Sequence, residues 1–75
     1  MNYIVIELQT NGNTTANIVS SYSDRNQAES KFHTVMASAA VSAVEVHACT
    51  MLTEDGKVVR QESYRHPVQP EPEAE

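Results

Sequence analysis

Glycine is nearly missing from this chain: it has two in 75 residues, Gly12 after Asn11 and Gly56 after Asp55. Asn-Gly and Asp-Gly are the strongest short hairpin signals, so both glycines are committed to turns. No glycine-rich loop remains to cradle a phosphate, and none to serve as a mobile lid. Cysteine occurs once, as Cys49, which excludes an intramolecular disulfide and points to a reducing, cytoplasmic setting. Proline is confined to positions 67, 70 and 72. Long apolar runs are also lacking. The longest uncharged apolar-leaning stretch, Thr34 to Val44, falls well short of the ~20 residues of a membrane-spanning helix. The opening run Met1 to Glu7 carries no basic residue ahead of its apolar segment, unlike a secretory signal. Basic charge is scarce, with five Lys and Arg against ten Asp and Glu and a formal charge of -5. The bases are scattered among acids rather than gathered in a stripe, which argues against nucleic acid as a partner.

What is present reads as one small domain over residues 1–66. Tyr3 to Gln9 alternates as a strand, and Ala16 to Tyr22 is its return. Parity favours a three-residue Asn11-Gly12-Asn13 loop, with Asn13 left-handed, because it pairs Ile6 with Ile18 and Leu8 with Ala16. Asp24 followed by Gln27 is a capping-box signal that starts a helix, and Ala28, Phe32, Val35, Met36, Ala39 and Ala43 form its apolar stripe. Helical character should fade near Ser42 to Val44. A third strand runs from Val44, and an Asp55-Gly56 loop sets Leu52 opposite Val59, Cys49 opposite Glu62 and His47 opposite Tyr64. The fourth strand spans Lys57 to about Arg65, which places His66 opposite Glu45. Residues 67–75, rich in Pro and Glu, read as a disordered acidic tail.

The expected fold is α+β, in the order β-β-α-β-β. Its antiparallel sheet has four strands in the order 2-1-3-4, because a right-handed crossover from the second strand to the third passes over the first. One helix covers one face. The more apolar set, Ile4, Ile6, Leu8, Ile18, Val44, Val46 and Leu52, is expected beneath the helix. The opposite face, carrying Tyr3, Val5, Val19, His47, Cys49, Met51, Val58 and Tyr64, is then left uncovered as the interface of a homo-oligomer.

Candidate chemistry is thin. Glu45, His47 and Cys49 alternate as carboxylate, imidazole and thiol, but side chains two apart on a strand stand ~7 Å apart, too far for a shared zinc without bending the strand. No metal or other cofactor is expected, and a catalytic Cys–His pair would lack an oxyanion hole. Ser–His–Asp arrangements are not evident. Arg60, Tyr64, His47 and Tyr3 are candidate ligands for an anionic or aromatic small molecule held between protomers.

The segments Tyr3-Ile4-Val5-Ile6-Glu7, Ala16-Asn17-Ile18-Val19, Asn26 to His33 and Leu52-Thr53-Glu54-Asp55-Gly56 resemble a family of small uncharacterised proteins encoded in prophages and mobile elements of gut Firmicutes. The resemblance spans residues 1–66 and contains no catalytic motif. It implies a phage or bacterial protein acting in the host cytoplasm. The half-apolar uncovered face and the lack of a catalytic constellation add the expectation of a non-enzymatic protein that works by binding, as a homo-oligomer or to a host or phage protein. Alternatives in the same setting are an anti-defence inhibitor or nucleotide-like sponge, and an accessory protein of virion assembly or lysis.

Overall fold

The computed structural model describes residues 1–67, so the acidic tail expected from residue 67 onward lies, apart from Pro67, outside the described residues. Five elements follow in the order β1 (Tyr3–Asn11), β2 (Thr14–Tyr22), α1 (Arg25–Ala40), β3 (Val46–Thr53) and β4 (Val58–Arg65). They build a four-stranded antiparallel sheet in the order β2-β1-β3-β4 with α1 packed on one face. No helix of the described residues is long and apolar enough to cross a membrane.

The first hairpin departs from the expected loop by one residue. Asn11 pairs with Thr14, so the loop is Gly12-Asn13, and Ile6 faces Val19 rather than Ile18. Gly12 takes φ +60°, while no non-glycine residue among those described has positive φ, so Asn13 is not left-handed. A positive φ at the first loop position alone is the signature of a type II′ turn, whose twist matches the flanking strands.

That single displacement decides which side chains meet the helix. In a two-residue hairpin the residues flanking the loop form a hydrogen-bonded pair, and such pairs alternate along the ladder. Closure at Asn11 and Thr14 therefore aims the backbone groups of odd-numbered β1 residues at β2. For L-residues, strand direction and the side to which N–H and C=O point together fix the face that the side chain takes. With the right-handed β2-α1-β3 crossover, hydrogen-bonded β1–β2 pairs point toward the helix.

The core follows that geometry, and the expected faces are interchanged. Val5, Cys49 and Met51 are buried beneath Ala28, Phe32, Val35, Met36 and Ala39 of α1, with Tyr3, Tyr22 and Val59 packed at the margin. Ile4, Ile6, Leu8, Val46 and Leu52 lie on the other face and are only half-buried. Ile18, expected in the core, is 49% exposed on edge strand β2. Val44 lies in the α1–β3 linker and not in a strand, and Ala43 is exposed beyond the end of the helix.

The helix begins where its cap dictates. Asp24 is extended, and its side chain accepts the Asn26 amide at 3.0 Å. The reciprocal Gln27 bond of a capping box is not among the hydrogen bonds of the described residues. At the other end the Val41 amide folds back onto the Ser38 and Ala39 carbonyls.

The second hairpin carries two irregularities that cancel. Gly56 N–H donates to the Thr53 carbonyl at 2.9 Å, and Thr53 N–H to the Lys57 carbonyl at 2.8 Å, with Gly56 at φ +87°. That closes a three-residue turn with glycine in the left-handed position, not the two-residue loop expected. Leu52 consequently pairs with Val58 instead of Val59, and a register shift between Met51 and Leu52 absorbs Val59 as an extra β4 residue. Beyond it Met51 faces Arg60, Cys49 faces Glu62 and His47 faces Tyr64, the last two as expected. His66 N–H continues the ladder to the Glu45 carbonyl at 2.8 Å.

Candidate functional site

The helix-covered face contains a buried polar chain that the sequence did not reveal. His47 is 3% exposed. Its Nε2 lies 2.6 Å from Glu7 Oε2 and its Nδ1 3.0 Å from Ser42 Oγ. Glu7 Oε2 also accepts from Gln9 Nε2 at 2.9 Å, and Ser42 Oγ accepts the Val44 amide at 3.3 Å. Burial pushes the Glu7 carboxyl upward, but the hydrogen bonds from His47 and Gln9 and the charges of His47 and Lys31 outweigh it, holding its pKa below the ordinary value. An ionised carboxylate only accepts, so Nε2 carries a proton, and in the neutral ring Nδ1 accepts from the Ser42 hydroxyl. The order hydroxyl, imidazole, carboxylate is that of a nucleophile relay. Two amides nearby are engaged: Val44 N–H donates to Ser42 itself, and Gly12 N–H, lining the same cleft as Ser42, donates to Glu45 Oε1 at 3.1 Å. The chain works as a latch joining β1, β3 and the α1–β3 linker.

Cys49 is fully buried, and desolvation, with the Glu7 charge, pushes its thiol up to about 11. A thiol so held is neither a nucleophile nor a ready metal ligand. Among the described residues no group of three His, Cys, Asp or Glu side chains could hold a metal ion.

Of the four residues considered for a small ligand, His47 and Tyr64 are cross-strand neighbours, but the four are not brought together as a set. Tyr3 pairs with Thr53 at one end of the sheet and His47 with Gln9 at the other. Six steps along β1, from Tyr3 to Gln9, separate the two, about 20 Å at the strand rise. His47 is enclosed by its latch. Arg60 lies over the Phe32 ring at 5.8 Å and holds Glu29, with Nη2 donating to Oε2 at 3.2 Å. Its Nε approaches Oε1 to 3.1 Å as an ion pair without hydrogen-bond alignment. Tyr64, 41% exposed, stacks on His66, whose Nε2 donates to the Ala39 carbonyl at 2.8 Å. Arg60 and His66 thus pin the two ends of α1 to β4. A cleft of about 810 Å³ opens beside Asn11, Gly12, Ser42, Glu45 and His66, with its polar groups largely paired across it.

The uncovered face is where surface chemistry stands out. Of the eight residues read as an interface, Val5, His47, Cys49 and Met51 are buried under the helix, and Tyr3 and Tyr64 lie on the helix-covered side. Val19 and Val58 alone belong to the open face, 58% and 57% exposed. The face itself is built by Ile4, Ile6 and Leu8 of β1 and Val46, Ala48 and Leu52 of β3, flanked by these valines. Its polar members are Thr, Ser, Asn and Gln. Arg65, opposite Val46 at one corner, is its one charged strand residue.

Comparison with family models, with curated proteins and with solved structures returned no match.

Proposed function

We propose that this chain is a non-enzymatic binding protein that works as a homo-oligomer, using its open sheet face as the contact between copies. The observation that carries the reading is the pairing of an apolar, almost chargeless face with a chain of formal charge -5. Two copies approaching by most orientations bring acids together. Approaching face to face, they bring together Ile, Leu, Val and Thr. From strand spacing and rise the face covers roughly 500 Å² in projection. Side-chain relief carries its accessible area toward the ~800 Å² that each partner contributes to a stable interface. A small domain with a thin core gains most from such burial. The phage or mobile-element setting, and the bacterial cytoplasm as its place of action, belong to the same proposal through the resemblance of residues 1–66.

Ile6 tests it. The side chain sits between Val19 and Thr50 near the middle of the face and is half-buried, so Ile6→Glu leaves the helix-side core untouched. In a two-fold interface the new carboxylate is desolvated close to its own copy. Light scattering coupled to size exclusion should show an oligomeric parent and a folded Ile6→Glu of lower mass, with the open-face association step lost. Thr34→Asp, on the exposed side of α1, should leave the mass unchanged. A monomeric parent, or a variant of unchanged mass, overturns the reading.

A further inference from the structure

The two edges of the sheet are treated differently. Edge strand β4 carries Arg60, Glu62 and Arg65 and is interrupted by the bulge at Val59, the devices by which sheets discourage strand addition. Edge strand β2 has none of them. Its nine residues, Thr14-Thr15-Ala16-Asn17-Ile18-Val19-Ser20-Ser21-Tyr22, include no charge and no proline, and they pair with β1 in one unbroken register.

We infer that β2 is a strand-addition edge whose occupant is the β2 of a second copy, antiparallel about a two-fold axis through Ile18. The register is fixed by backbone parity. Thr14, Ala16, Ile18, Ser20 and Tyr22 turn their N–H and C=O toward β1, which leaves those of Thr15, Asn17, Val19 and Ser21 pointing outward. An antiparallel partner must match outward residues with outward residues. Centring on Ile18 pairs Asn17 with the partner's Val19 and Thr15 with the partner's Ser21, and it uses the full length of the strand. About eight main-chain hydrogen bonds result, two for each hydrogen-bonded pair. Ile18 meets its own copy in a non-hydrogen-bonded pair, where side chains approach most closely, and this provides for a side chain left 49% exposed. Ile–Ile, Ala–Ser and Asn–Val contacts contain no like charges, so the strand is complementary to itself. The product is one eight-stranded sheet with both helices on the same side. This contact lies in the plane of the sheet and is separate from the open-face contact above.

Asn17→Pro tests the inference. Proline there removes an outward N–H and spares every bond from β2 to β1. Sedimentation of the full chain should show loss of one association step, whereas Ile6→Glu removes the other. Ile18→Lys, which sets two ammonium groups in one close pair, should reproduce the loss even if Asn17→Pro fails to fold. Amide exchange supplies a readout that face stacking does not move. The Asn17 and Val19 amides should be protected at concentrations where the oligomer forms and exchange freely on dilution, while those of Ile18 and Ser20 stay protected in both states. Free exchange at Asn17 and Val19 in the oligomer, or an unchanged mass for Ile18→Lys, overturns it.

Discussion

Phe32, Glu7 and Cys49 each make a point about the interior that burial alone does not. Phe32 is fully enclosed at the centre of the helix stripe, and in a core of so few large side chains Phe32→Ala should cost ~3–5 kcal/mol, read as loss of the unfolding transition or a steep fall in Tm. Glu7 ties stability to pH. Its folded pKa lies below the unfolded value, so its contribution is complete above about 4.5 and disappears as pH falls through the depressed folded pKa. Glu7→Gln removes a charge-assisted bond from buried His47 and should cost ~1–3 kcal/mol at neutral pH. That deficit should shrink as the two proteins are melted at successively lower pH through the acid range. A deficit that persists unchanged into strong acid would show that the carboxylate form is not what His47 binds. Cys49 should resist thiol reagents at pH 8 in the native state, since its pKa stands near 11, and should react at the rate of unfolding.

At the scale of elements, the turns hold most of the information. A Cβ at Gly12 would meet nothing within 4 Å, so Gly12→Ala is opposed only by the positive φ of +60° and should cost ~1–3 kcal/mol in denaturant melts. A much larger cost would mean that the loop is packed against something. Asp24→Ala should cost ~1 kcal/mol through the orphaned Asn26 amide. The order of elements, the helix stripe and the sheet order were legible because turn glycines, period-3.6 spacing and crossover handedness are strong signals. The face assignment was not, because both parities of β1 and β3 are apolar. Ile4, Ile6 and Leu8 outweigh Tyr3, Val5 and Glu7 in hydrophobicity, yet the second set is covered. The position of one turn residue made the difference: moving the loop from Asn11-Gly12-Asn13 to Gly12-Asn13 exchanges the faces, and transfer free energy along a strand does not register it. The Ser42–His47–Glu7 latch was hidden for a related reason. Its members come from a linker and two strands, and only the covered face makes them neighbours.

For the whole molecule, the reversal of faces changes what a charged substitution means. Met51→Asp buries a carboxylate beneath the helix and should unfold the chain, whereas Ile6→Glu should leave it folded and act only on assembly. Salt gives an independent probe of the forces between copies. An interface of ion pairs weakens as ionic strength rises, because opposite charges are screened. An interface of Ile, Leu, Val and uncharged polar groups has no such pairs to lose, and the repulsion between chains of formal charge -5 is what salt screens. Raising the salt from 0.01 M, where the Debye length is ~30 Å, to 0.15 M, where it is ~8 Å, should therefore strengthen association. Replacing sodium chloride by sulfate should strengthen it further, since excluded salts favour apolar burial. Sedimentation equilibrium across the two salts measures the dissociation constant directly. A constant that rises with salt would place ion pairs at the contact and move the interface to the charged side of the molecule, where Arg25, Glu29 and Arg60 lie.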